Sequence, residues 1–141
     1  MNTTTAEPMD PRTLRTFAEF YPFYLSEHSN RTCRRLHFVG STLALVCLAI
    51  LVATGKPQYF LYGLLCGYGC AWVGHFVFEK NKPATWYSPK FALWSLRGDF
   101  RMLARTLTGR MGEEVRKVRE VLQQEEAAEA ATTAAAAATA N

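Results

Sequence analysis

Two long apolar blocks dominate the hydrophobic pattern of the chain. They cover residues 36–55 and 59–78, and neither contains a Lys, Arg, Asp or Glu residue. A 20-residue helix is roughly 30 Å long, which is enough to cross a bilayer. Only residues 56–58 separate the blocks, and so short a connection makes the two helices antiparallel. The pattern predicts an all-α integral membrane protein built on a helical hairpin; two buried core helices of a soluble bundle are the alternative.

Polar and apolar positions also predict a helix on each side of the hairpin. Asp10-Pro11 resembles a helix start, and the helix is expected to run through Leu25 with a bend at Pro22. The polar run that follows predicts a chain break at Ser29-Asn30. After the hairpin, a helical period from Lys90 to Leu107 places apolar residues on one stripe and arginines on a neighbouring stripe (Leu93, Leu96, Phe100, Leu103 and Leu107; Arg97, Arg101 and Arg105).

We interpret this second flanking helix as an amphipathic helix that lies on the membrane surface, with its arginines toward lipid phosphates. The alternative is a third span, which would carry Arg97, Asp99, Arg101 and Arg105 into hydrocarbon. The domain organisation is therefore an N-terminal tail (1–10), a membrane-embedded helical domain (11–110), a charged helix (111–126) and an Ala-rich tail (127–141). We expect this last segment to be solvated, and frayed or disordered, because its composition cannot form a core.

Composition narrows the class of protein. The 141 residues are 49% hydrophobic and 20% charged, with a net charge of +4, which excludes a disordered chain and a large soluble enzyme. The four cysteines form no Cys-x-x-Cys pair, so we interpret them as small buried side chains. The lipid bilayer is the expected partner, nucleic acid is not, and homo-oligomerisation stays open.

Basic residues close to the spans predict the orientation. They are concentrated before the first span and after the second, with Lys56 alone in the turn, so both termini should face the cytoplasm. The membrane would be the inner membrane in a bacterium and the endoplasmic reticulum in a eukaryote.

The three histidines carry the candidate chemistry. Reflection of the hairpin about its turn places His37 and His75 at similar depth on adjacent helices, near the predicted cytoplasmic end. Glu79 lies four residues after His75, on the same helix face. His28 would lie on the far side of a continuous helix, and only a break at Ser29-Asn30 lets it fold back.

Two or three histidines with a carboxylate form a ligand set that suits Fe(II), and zinc fits the same donors nearly as well. The alternative is that each histidine makes an ordinary hydrogen bond. Ionisable residues at the membrane boundary favour a functional site, because their burial without a partner is costly.

Three separated segments of the chain resemble a known family. The segments are Phe20-Tyr21-Pro22-Phe23-Tyr24-Leu25-Ser26-Glu27-His28-Ser29-Asn30-Arg31, then Arg35-Leu36-His37-Phe38-Val39-Gly40, then Gly74-His75-Phe76 with Glu79-Lys80-Asn81-Lys82-Pro83-Ala84-Thr85. They resemble a family of small multi-span membrane proteins that includes the fungal 2-hydroxy-fatty-acid dioxygenase of phytosphingosine breakdown at the endoplasmic reticulum. The resemblance covers roughly residues 14–107.

The resemblance implies an Fe(II)-dependent α-oxidation, in which a 2-hydroxy fatty acid and O2 give a fatty acid one carbon shorter. The essential histidines of the family would correspond to His28, His37 and His75, which would hold the metal. In this hypothesis Glu79 is a fourth ligand or orients His75, and Arg34, Arg35 or Lys82 attract the substrate carboxylate. The competing hypothesis is a non-catalytic lipid-binding or scaffolding hairpin, whose function lies in the arginine stripe.

Overall fold

The computed structural model describes residues 11–139. A 3₁₀ turn, Pro11–Thr13, precedes α1 (Phe17–Ser26), α2 (Arg31–Thr54) and α3 (Gln58–Val73). Helix α3 continues as a π-helical turn, Gly74–Glu79, and a 3₁₀ turn, Ala84–Trp86, leads into α4 (Lys90–Leu107) and α5 (Met111–Thr139). The described residues contain no strand, so the all-α prediction is confirmed.

The N-terminal helix begins later than the sequence predicts. Thr16 caps α1, since its hydroxyl accepts from the backbone N–H of Glu19, and Pro22 lies inside the helix. Asp10, the predicted cap, lies outside the described residues. The predicted break is present, because α1 ends at Ser26 and the Asn30 side chain caps α2 by accepting from the N–H of Thr32.

Helices α2 and α3 form the predicted hairpin. Gly55 ends α2 in the left-handed conformation, with φ of 65°, which glycine adopts without steric cost. The two helices approach closely where a side chain is missing: a Cβ atom on Gly40 would lie 2.8 Å from Cys70 Cβ, and one on Gly74 would lie 2.9 Å from Cys33 Sγ. The missing side chains at these contacts let α2 and α3 pack closely together.

The hairpin exposes its apolar surface. Segments Arg31–Thr54 and Gln58–Glu79 are long and apolar enough to cross a membrane, and only 11% of the most apolar window of each is buried. The core helices of a soluble bundle would be mostly buried, so this exposure favours the membrane hairpin. No other helix within residues 11–139 meets the same length and hydropathy criteria, which disfavours the third span.

The main core lies between α1 and α4. Phe20, Tyr24 and Phe91 are fully or almost fully buried there, and the Phe20 and Phe91 ring centroids are 4.9 Å apart. Helix α4 has the bounds that the sequence predicts. Its buried side faces the core, while apolar residues on its opposite side are exposed (Leu93, Leu96, Phe100 and Leu107). That exposed apolar side is consistent with a helix lying on a membrane surface.

The C-terminal segment is more helical than we predicted. Helix α5 continues through the Ala-rich tail to Thr139, with no break near residue 126. Alanine has the highest helix propensity, so a low-complexity alanine tract can remain helical without a core. Residues 127–138 are exposed, as expected for a solvated segment.

Candidate metal centre

Three elements bring the three histidines together. His28 lies in the turn after α1, His37 in α2 and His75 in the π-helical turn that ends α3. Their exposed fractions are 0%, 6% and 2%, and their ring centroids lie 4.4 to 5.1 Å apart. The break after Ser26 turns His28 back toward α2, in agreement with the sequence argument.

Each histidine places its Nδ1 atom against an oxygen acceptor. His28 Nδ1 lies 2.6 Å from the backbone oxygen of Tyr24, and His37 Nδ1 lies 2.7 Å from Asp99 Oδ1. His75 Nδ1 lies 2.8 Å from Oδ1 of Asn81. A carbonyl or carboxylate oxygen accepts only, so Nδ1 carries a proton in each ring, and in the neutral form of the ring Nε2 then presents a lone pair.

The orientation of Asn81 is fixed by its own contacts. Its Nδ2 atom donates to the backbone oxygen and to the carboxylate of Glu27, both at 3.0 Å, which leaves Oδ1 for His75. Lys80 has a left-handed backbone, with φ of 59°, that turns the chain so that the Asn81 N–H also donates to the His75 backbone oxygen. A non-glycine residue in this conformation is uncommon and occurs often at functional sites.

The second ring nitrogens of two of these histidines face each other. His28 Nε2 and His37 Nε2 are 3.2 Å apart, and neither has a proton to donate when both rings are neutral. Burial, reinforced by the charge of neighbouring His37 and His75, lowers the pKa of His28 well below its usual value, which favours the neutral ring. Facing lone pairs in a buried site repel each other unless a cation lies between them, and this donor arrangement is typical of a metal site.

Cys33 joins the three histidines in one buried group. One ligand atom from each of His28, Cys33, His37 and His75 lies within 4.8 Å of the others. We interpreted the cysteines only as small buried side chains, and Cys33 is indeed buried, with a free thiol. Its position four residues before His37, on the same face of α2, was the signal that could have identified it.

Asp99 and Tyr24 are a second pair that the sequence argument missed. The Tyr24 hydroxyl donates to the Asp99 oxygen that accepts from His37. Burial and the Asp99 charge raise the pKa of Tyr24 well above its usual value, so the hydroxyl keeps its proton. Residue 99 is 62 positions from His37, and nothing in the local pattern of α4 predicts this contact.

The other predicted site residues lie beside the histidine cluster. Both Glu79 oxygens accept from the turn that carries His28, from the Ser29 hydroxyl at 3.0 Å and from the Asn30 backbone N–H. Asn81, and not Glu79, contacts the His75 ring. Arg34 donates to the backbone oxygens of His28 and Ser29 at 2.7 and 2.6 Å. Arg35 and Lys82 are exposed.

A cavity of about 260 Å³ leads away from the histidines. Along α3 it is lined from His75 to Gly63, which is roughly 18 Å at 1.5 Å per residue. Small and apolar residues form most of this lining (Ala44, Gly63, Leu64, Gly67, Ala71 and Trp72), and Asp99 and Ser95 of α4 border it near the histidines. Neither Glu79 nor the three basic residues contribute to the lining.

The arrangement can bind a metal next to an elongated apolar ligand. Three neutral imidazoles suit Fe(II) or zinc, and the thiol of Cys33 offers a fourth donor. The three histidines line one part of the cavity, so a polar head group could reach the metal while an acyl chain follows α3.

Comparison with known proteins identifies the family. Residues 14–111 match the family described as "2-hydroxy-palmitic acid dioxygenase Mpo1-like". Searches of curated proteins and of solved structures found no significant match. The match covers α1 to α4, including all three histidines, Asn81 and Asp99. The chain therefore belongs to the Mpo1-like family.

Proposed function

We propose that this protein is a membrane-embedded Fe(II)-dependent dioxygenase, which converts a 2-hydroxy fatty acid and O2 into a fatty acid one carbon shorter. The reaction balances when C1 leaves as CO2 and one water forms, because the broken C1–C2 bond leaves C2 as the new carboxyl carbon. O2 is the oxidant. The convergence of a ligand atom from each of three buried histidines at one end of a mostly apolar cavity carries the proposal.

His28, His37 and His75 would hold the metal through Nε2, with Cys33 close enough to act as a further ligand. When bound, Fe(II) would supply a redox-active centre with open coordination positions for O2 and substrate, while the 2-hydroxy acid is the net electron donor. The chain contributes the orientation of the rings. Tyr24, Asp99 and Asn81 accept from the three Nδ1 atoms, which keeps each Nε2 unprotonated and pointed inward.

Ser95 is the candidate for binding the polar head of the substrate. Its side chain lines the cavity and is 6% exposed, yet its hydroxyl has no hydrogen-bond partner among the described residues. A buried hydroxyl without a partner is unfavourable, and a substrate oxygen would satisfy it. The acyl chain would then follow the small-residue lining of α3 from Ala71 toward Gly63.

The remaining predicted residues support this site from its edge. Glu79 and Arg34 hold the turn that carries His28, by accepting from and donating to its backbone. Arg35 and Lys82 are exposed near the end of the hairpin where the histidines lie, and there they would attract the substrate carboxylate. We keep the cytoplasmic location of this end as a prediction.

The test is reconstitution of the full chain in detergent under anaerobic conditions. Bound iron is measured after Fe(II) addition, then 2-hydroxypalmitate and O2 are added and pentadecanoate is followed by mass spectrometry. We expect about one iron per chain and the shortened product, and we expect His28→Ala, His37→Ala and His75→Ala to lose both.

Two cysteine substitutions distinguish a specific effect on the metal site from a general loss of folding. Cys33→Ala should reduce iron retention, whereas Cys70→Ala, which changes a cysteine outside the cluster, should not. Iron retention without pentadecanoate formation would support the metal site and exclude 2-hydroxypalmitate as the substrate. Failure to bind any metal would reject the enzyme and leave the lipid-binding hairpin as the working hypothesis.

A further inference from the structure

A second cavity lies among α1, α4 and α5, away from the histidines. Its volume is about 940 Å³, and it is lined by five basic and two acidic residues. The basic residues are the arginine stripe of α4 and two residues that follow it (Arg97, Arg101, Arg105, Arg110 and Lys117). The net charge of this lining is +3, so the cavity is a basic site that the proposed enzyme reaction does not use.

Aromatic rings of α1 hold two of the arginines in place. The Arg97 guanidinium carbon is 4.1 Å from the Phe17 ring centroid, and that of Arg101 is 4.3 Å from the Tyr21 ring centroid. Stacking of this kind orients a guanidinium while its N–H donors stay available at the edge. The charges are therefore partly preorganised for a ligand.

Acidic partners compensate only part of this charge. Glu114 forms ion pairs with Arg101 and Arg105 at N–O distances of 2.6 and 2.7 Å, and Glu113 pairs with Lys117 at 2.6 Å. Within residues 11–139, no carboxylate lies within ion-pair distance of Arg97 or Arg110. Two guanidinium groups therefore remain for an added anion.

A buried hydroxyl adds a donor to the same cavity. Tyr21 lines it and is only 4% exposed; its hydroxyl lies close to the Arg101 guanidinium, which cannot accept a proton, and it donates to no acceptor within the described part of the chain. Burial, together with the negative charge of Glu114, raises the pKa of Tyr21, so the hydroxyl retains its proton. The cavity thus has more donors than acceptors, which is the requirement for an anionic ligand with several oxygens.

We propose that this basic cavity binds a phosphate group. Phosphate offers several acceptor oxygens to the Tyr21 hydroxyl and to Arg97, which stacks on the neighbouring Phe17 ring, and arginine matches its geometry. Two sources carry this chemistry, an acidic phospholipid head group and a soluble phosphate ester. The exposed apolar side chains of Leu93, Leu96 and Leu107 lie on the neighbouring side of α4, so a lipid in the same membrane layer could reach the cavity.

The test uses the full chain in detergent and measures bound ligand by native mass spectrometry. The probes are phosphatidic acid, phosphatidylcholine and soluble glycerol 3-phosphate, which carries the phosphate of phosphatidic acid without its acyl chains. We expect Tyr21→Phe and Arg97→Gln each to weaken phosphatidic acid binding about tenfold, since each removes a hydrogen bond to a charged group. Arg116→Gln is the matched control, because this exposed arginine lies outside the cavity.

The outcomes distinguish a phospholipid head group from a soluble phosphate ester, and one of them would overturn the proposal. Phosphatidic acid binding alone assigns the site to a lipid, and binding of glycerol 3-phosphate with the same sensitivity to Tyr21→Phe assigns it to a soluble phosphate ester. Equal binding of phosphatidic acid and phosphatidylcholine, unchanged in Tyr21→Phe and Arg97→Gln, would overturn it. Arg97 is exposed, so its substitution should fold even if Tyr21→Phe does not. The measurement is independent of iron and of catalysis.

Discussion

Asp99 joins the histidine cluster to the main core at a single oxygen atom. Its Oδ1 accepts from His37 Nδ1 and from the Tyr24 hydroxyl, so one carboxylate fixes a proposed metal ligand and a buried tyrosine. We predict that Asp99→Asn lowers iron affinity about 10- to 100-fold, because an amide is a weaker acceptor for the ring that it orients. Titration of the anaerobic protein with Fe(II) measures this change.

Two further variants show whether the effect comes from the ring or from the core. Tyr24→Phe removes the competing hydrogen bond and leaves the carboxylate on His37, so its iron affinity should change less than that of Asp99→Asn. Glu120→Gln alters an exposed carboxylate of α5 and should have no effect. Unchanged iron affinity in Asp99→Asn would contradict the assigned role of Asp99.

Ser95 allows a test of substrate binding that leaves the metal ligands intact. Ser95→Ala removes the unpartnered hydroxyl, and we predict an increase in KM of about tenfold, because a hydrogen bond to a charged oxygen is lost. Iron content should stay at the wild-type value. Ser88→Ala, outside the cavity, is the control, and an equal KM in Ser95→Ala and wild type would exclude Ser95 from the polar-head site.

At the scale of the elements, α1 and α4 touch at a glycine. A Cβ atom on Gly98 would lie 2.8 Å from Tyr24 Cε1 and 3.0 Å from its Cζ. We predict that Gly98→Ala lowers the free energy of unfolding by about 1 to 3 kcal/mol, because the ring is fully buried and cannot move away. Thermal or denaturant unfolding, followed by circular dichroism, measures this loss.

Gly112→Ala is the matched control for this change. A Cβ atom on Gly112 meets nothing within 4 Å, so alanine there should stabilise α5 by about 0.5 to 1 kcal/mol through its helix propensity. Equal stability of the two variants would show that the contact between Gly98 and Tyr24 does not limit the packing of α4.

The helices also show which parts of the structure could be predicted from the sequence. The two hairpin helices and α4 were predicted because hydrophobic length and period are local properties, and the hairpin turn then placed His37 near His75. The break at Ser29-Asn30 located His28. Asp99 and Ser95 could not be found in this way, since their roles depend on how α4 packs against α2. The predicted start of α1 at Asp10-Pro11 was wrong, because the helix is capped later in the chain, by Thr16.

At the scale of the whole molecule, the C-terminal helix is attached by few contacts. The family match ends at residue 111, where α5 begins, and Glu114 is the buried carboxylate that binds Arg101 and Arg105 of α4. Residues 123–138 of α5 are exposed. The part of α5 that contributes to the fold is therefore its first turns.

Deletion of residues 127–141 tests this division of α5. The deleted residues 127–138 are exposed and contribute nothing to either cavity, so we predict wild-type iron binding and an unchanged unfolding midpoint for the rest of the chain. Glu114→Gln should instead lower the free energy of unfolding by roughly 1 kcal/mol, because it weakens two ion pairs of half-exposed arginines. A large loss of iron on deletion would show that the Ala-rich tail supports the metal centre through contacts beyond those of the single chain.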